Sequence, residues 1–154
     1  MTDGGLAGAL AESTAEVLEK MFFVRATEES VPASGDVDGD LNCEVSFSGN
    51  PSGRLVLRVG LGAAHSMAAD FLGDDEGALS EVRVSQVVCE LANMICGSVL
   101  SRIESGTTFR LESPRLLSAW EASGPHTVTH SVVLGGGILT VEFSTERPVC
   151  PMSV

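Results

Sequence analysis

Gln86, Glu90, Asn93 and Gly97 are the residues whose types and spacing best suit chemistry. Separations of four, three and four place them in one ridge along a helix. A carboxylate, for charge pairing, and two carboxamides, for hydrogen bonding, then project together from a rigid surface with a glycine below them. A mid-helix glycine costs about 1 kcal/mol relative to alanine, so Gly97 points either to close approach of a partner or to tight helix packing. The same polar residues would also serve as the solvated face of an ordinary amphipathic helix. Spacing alone leaves both readings open.

Other reactive side chains are less suggestive. Cys43, Cys89, Cys96 and Cys150 show no CxxC spacing, so they read as buried or inert thiols rather than a metal or disulfide framework. His126 and His130 share a strand face, a position more typical of ordinary sheet residues than of a metal pair. The DVDGD segment lacks the glycine and terminal glutamate spacing of a calcium loop, and GLGAAH lacks the lysine of a phosphate loop and reads as a turn.

The ridge needs a helix to carry it. Val84 to Ile103 supplies one, because Val84, Val87, Val88, Leu91, Ile95 and Val99 fall in a single broad sector at about 100° per residue. Acidic Asp74 to Gly77 precedes it, where negative charge favours a helix N-terminus, and Ser105-Gly106 ends it. A first helix is expected from Leu6 to about Val24, with Leu6, Leu10, Val17, Leu18, Met21 and Phe22 inward and a Glu16–Lys20 pair outward. A shorter one is expected over Ala63 to Leu72, ended by Gly73.

Leu41 to Ser48 alternates as a half-buried strand, with Asn42, Glu44, Ser46 and Ser48 on the wet face. The GNPSG turn joins it to Arg54–Leu61 as an antiparallel hairpin. Thr107 to Glu112 is a short strand ended by Ser113-Pro114. A second hairpin pairs His126–Leu134 with Ile138–Ser144 across three glycines. Helix-hairpin followed by helix-hairpin hints at two similar halves. The result is an α+β fold: a largely antiparallel sheet of about five to six strands with two long helices packed against it.

Composition bounds the rest. At 154 residues the chain fits a single domain, 1–154, with an irregular loop at about 27–40 and an irregular tail at about 145–154. Nine basic residues against 21 acidic ones give a net charge of −12, which disfavours nucleic acid or an anionic membrane as partner. With no secretory signal pattern and no apolar run read as a membrane span, a cytoplasmic protein is expected.

ELANMICG, Glu90 to Gly97, resembles the E-x-x-N signature of the CheC/CheX/FliY family of chemotaxis phosphatases. ESTAEVLEKMFF, the acidic segment before the central helix, LESP and the glycine hairpin resemble the CheX branch. CheC-type members carry the motif twice, whereas Glu90 and Asn93 are the only pair here in a suitable helix. The resemblance implies a CheX-like fold and a phosphatase acting on the aspartyl phosphate of a CheY-like receiver domain. Glu90 would pair with the receiver's lysine, and Asn93 would orient the attacking water, with Gln86 and Gly97 meeting the partner. It also implies no metal or cofactor of the chain's own, Mg2+ on the receiver, and a homodimer built through the sheet. Gln86 stands where the family pattern has Asp or Ser, and Pro114 is nearer Asn93 than the family's proline. A receiver-binding adaptor or flagellar-switch-like module without catalysis is the alternative.

Overall fold

The computed structural model describes residues 2–21, 40–49, 52–73, 79–103, 108–117, 126–134 and 137–146. The elements are α1 (Thr2–Met21), β1 (Asp40–Ser48), β2 (Gly53–Gly60), α2 (Leu61–Leu72), α3 (Glu81–Ser101), β3 (Arg110–Leu111), β4 (Arg115–Leu117), β5 (Thr127–Leu134) and β6 (Gly137–Thr145). The DVDGD segment before Asp40, Trp120, Cys150 and most of the tail lie outside the described residues.

Six strands form one antiparallel sheet in the order β3-β1-β2-β6-β5, with β4 also pairing β1. The two hairpins therefore abut through their second strands. Register follows the alternation of the sequence: Val45 opposes Leu55, Leu55 opposes Phe143, and Phe143 opposes Val128, all on the helix-facing side. Phe47 stacks on Phe143 with ring centroids 5.3 Å apart and meets Phe109 edge-on at 5.7 Å, which are favourable aromatic geometries.

The helices lie on that apolar side. α1 packs against α3 and β5, and α3 against β1, β2, α1 and α2. Leu6, Leu10, Val17 and Leu18 are buried as the α1 stripe requires. The Glu16–Lys20 pair forms at 3.3 Å. α2 starts at Leu61 directly after β2, so GLGAAH is a strand-to-helix junction rather than a turn. Gly73 ends α2 at φ 73°, with its N–H bonded to Ala69 O at 2.8 Å, a left-handed cap that suits glycine.

The opposite face of the sheet departs from simple alternation. Asn42 and Glu44, expected on the wet face of β1, are buried. β4 lies beside them, and Glu44 is clamped by Arg54 at 2.6 Å and Arg115 at 2.7 Å. Burial pushes the Glu44 carboxyl up, but the two guanidiniums outweigh it and hold the carboxyl below its ordinary range.

That pairing makes stability depend on acid. The folded chain holds Glu44 below its unfolded value, so the contribution is complete above about pH 5 and is lost as pH falls through the folded value. Replacing Arg54 with Met should destabilise the fold by roughly 1–3 kcal/mol at neutral pH and flatten the acid limb of stability. Urea unfolding at a series of pH values checks this; superimposable curves for wild type and Arg54→Met would rule the clamp out.

Candidate functional site

The site is one side of α3. Ser80 caps the helix, its hydroxyl accepting from the Arg83 N–H at 3.1 Å. An accepting Ser at the N-cap and an acidic Glu81 in the first turn are favourable starts. They set the beginning three residues before Val84, where the apolar pattern first becomes regular.

At the other end, Arg102 donates to Ser98 O at 3.3 Å and also bonds the Ser98 hydroxyl. The same side chain reaches α1, donating to Ser13 Oγ at 3.0 Å and lying 3.4 Å from Glu16. A cation here satisfies carbonyls at the helix C-terminus. Lys20 and Arg102 together hold the Glu16 carboxyl below its ordinary range.

Between these ends, Val84, Val87, Val88, Leu91, Ile95 and Val99 are all buried. Each contributes roughly 1.5–3 kcal/mol of gross transfer free energy, so turning the helix to hide its polar side would be costly. By length and composition α3 is apolar enough to cross a membrane, unlike the expectation from sequence. Its apolar side is instead spent on the core of this fold.

The four sequence-selected residues come together as expected on the outward side. Gln86 and Glu90 are exposed, and Asn93 and Gly97 half-buried. Among the described residues, a Cβ added to Gly97 would meet nothing within 4 Å. Tight packing against the described residues therefore does not explain this glycine.

Gln86 and Glu90 form a crest between two apolar grooves. One, of about 620 Å³, is lined by Val82, Ser85, Cys89, Pro114 and Leu116, with Glu81 at its rim. The other, of about 230 Å³, runs toward the end of α2 and is lined by Phe71, Leu72, Arg83 and Val87. Val82 is 69% exposed and Leu116 49%, so exposed apolar side chains border the polar crest on the side of the larger groove.

Sequence reading missed both grooves. Val82 was legible, since it sits four residues before Gln86 and continues the same ridge. Leu116 was not, because only the pairing of β4 with β1 brings it beside α3. The cysteines are a second surprise. Cys43 of β1 lies with its Sγ 2.9 Å from that of Cys89 on α3.

An antiparallel sheet with helices packed on one side is a fold shared with solved CheX, CheC-like and FliY proteins. The family model described as "Chemotaxis phosphatase CheX" matches residues 41–134, from β1 through β5, and the chain belongs to that family. No curated protein sequence matches significantly. Among solved structures, chemotaxis protein CheX from Vibrio vulnificus is similar at 21% identity and TM-score 0.70, over 92% of this chain and 96% of that one. CheX from Desulfovibrio desulfuricans is similar at 22% identity and TM-score 0.72, over 92% and 99%. The CheX-CheY-BeF3-Mg+2 complex from Borrelia burgdorferi contains a chain similar at 18% identity and TM-score 0.72, over 91% and 97%.

Open space at Gly97 separates fold from function in one substitution. Gly97→Ala should raise stability by up to about 1 kcal/mol while weakening any partner that approaches the helix there. Thermal unfolding and partner titration on the same variant test both halves; a lower melting temperature would show that the glycine is needed by the fold itself.

Proposed function

We propose that this chain removes phosphate from the aspartyl phosphate of a CheY-like receiver domain, with α3 as the docking and positioning element. The observation that carries the reading is the placement of Glu90 and Asn93 on one outward ridge of a helix held at both ends and along its whole inner side.

In this reading Glu90 pairs with the receiver's lysine and fixes the angle of approach, while the Asn93 carboxamide holds a water in line with the phosphorus. Attack by that water breaks the bond between phosphorus and the aspartate oxygen, leaving a carboxylate and inorganic phosphate. Holding the water in place is most of what such a reaction asks of a protein, so a neutral amide suffices. Mg2+ on the receiver supplies charge neutralisation for the phosphoryl oxygens. Gln86 and the open side of Gly97 lie against the partner, and Val82 and Leu116 give it apolar contact. With a net charge of −12, this chain favours a receiver whose docking face is basic.

A binding-only role is the second reading. Gln86 in place of the family's acid or serine and the exposed apolar grooves would serve an adaptor equally well. We also propose that the chain forms a homodimer through its sheet, where β5 lies at one edge of the described strands and edge strands favour pairing.

Loss of label from a phosphorylated receiver should slow by about 100-fold in Asn93→Ala, with binding largely kept, whereas Glu90→Ala should weaken binding itself. Equal rates for wild type and Asn93→Ala would sink the water-positioning role, and an unaltered phosphate half-life at saturating protein would establish the adaptor. Sedimentation should give a species of twice the 16.0 kDa chain mass; a monomer at all concentrations would count against the dimer.

A further inference from the structure

Cys89 lines the larger groove of α3, immediately before Glu90, and is half-buried. Beneath it, fully buried on the helix-facing side of β1, lies Cys43. Their sulfurs are 2.9 Å apart, about 0.9 Å beyond the S–S bond length of about 2.05 Å. Both thiols are free. Among the described residues no group of three or more His, Cys, Asp or Glu could hold a metal ion.

The two thiols are unequal. Cys43 donates its S–H to the Cys89 sulfur, a bond that favours ionisation of Cys89 and opposes that of Cys43. The Cys89 thiol is accordingly held below its ordinary value despite some burial, and the Cys43 thiol is pushed up by the same hydrogen bond and by burial. Cys96 differs from both, because burial alone pushes its thiol up to about 12, which makes it inert.

We propose that Cys89 and Cys43 form a reversible redox pair, with Cys89 as the groove-facing thiol that meets a peroxide and Cys43 as the thiol that resolves it. The Cys89 sulfur attacks one peroxide oxygen. An S–O bond forms as the O–O bond breaks, the departing hydroxide takes up the proton released from the Cys89 thiol and leaves as water, and Cys89 becomes a sulfenic acid. The Cys43 sulfur then attacks the Cys89 sulfur, the S–O bond breaks, and the Cys43 proton leaves with the hydroxyl as water. Two thiols lose two electrons to become one disulfide, and hydrogen peroxide is reduced to two waters. The bond would pull the turn of α3 bearing Glu90 toward β1 and remove the free Cys89 sulfur from the groove. A consequence for the receiver rests on the phosphatase reading above; formation of the disulfide does not.

The test treats the full chain with hydrogen peroxide, quenches by alkylation and maps the peptides by mass spectrometry, beside Cys89→Ser and Cys43→Ala. The expected product is a linked Cys43–Cys89 peptide pair, two hydrogens lighter than its reduced parts and cleaved by dithiothreitol, with half of the four thiols lost. Cys89→Ser should give no such pair, and Cys43→Ala should leave a sulfenic acid at Cys89 that dimedone captures. If Cys43→Ala does not fold, Cys89→Ser decides alone. Full alkylation of all thiols after peroxide, oxidation that stops at Cys89 in the wild type, or linkage through Cys96 or Cys150 instead would overturn the proposal. Receiver dephosphorylation by the reduced and oxidised chains is read in parallel, with the oxidised form expected to be slower by about tenfold or more. An active reduced chain that forms no disulfide refutes the redox pair and leaves the phosphatase standing. A disulfide in a chain that is inactive when reduced does the reverse.

Discussion

The burial of one side of α3 against the sheet is the constraint on which the rest of the structure depends. Val84, Val88, Leu91, Ile95 and Val99 are inaccessible to solvent, and at 3.6 residues per turn their opposite sector must face outward. Glu90 and Asn93 thus occupy the surface as a geometric consequence of what the helix hides. A loop could offer the same side chains, but without a core to hold their mutual orientation. For chemistry that consists mainly of placing a water and a partner, that rigidity is the useful property.

The ends of α3 are secured by different means. Ser80 satisfies a backbone donor at the start, and Arg102 ties the last turn to Ser13 and Glu16 of α1. Position along the helix axis is thereby set as well as rotation. Arg102 is only partly exposed, so the tie to α1 is better shielded than a purely surface ion pair such as Glu16–Lys20, which contributes little by itself.

The strand beneath α3 has two demanding faces. Toward the helix, Cys43, Val45 and Phe47 fill the core. Away from it, Glu44 is buried and requires both Arg54 and Arg115, because a carboxylate removed from water without partners would be severely penalised. β1 lies between β2 and the short β3 and β4 segments, and Asn42 and Glu44, which pair with β4, are enclosed while Ser48 beyond them is exposed. The pairing that encloses Glu44 also sets Leu116 beside α3, so one packing event serves stability and the shape of the groove.

Periodicity made much of this legible. The α3 stripe, the ridge from Gln86 to Gly97, the β1–β2 and β5–β6 hairpins and the glycine stop of α2 all follow from local patterns, which need no knowledge of distant residues. The burial of Asn42 and Glu44, the junction at Leu61 and the second groove wall did not follow, since each depends on which elements become neighbours. The contact of Cys43 with Cys89 spans 46 residues, a separation no cysteine spacing rule addresses. By itself the sequence determined which side of the central helix would be wet and which residues would stand there, because helical geometry is local. Only the tertiary structure decided what flanks that ridge and what lies beneath it, because strand pairing and helix–sheet packing join residues that are far apart in the chain.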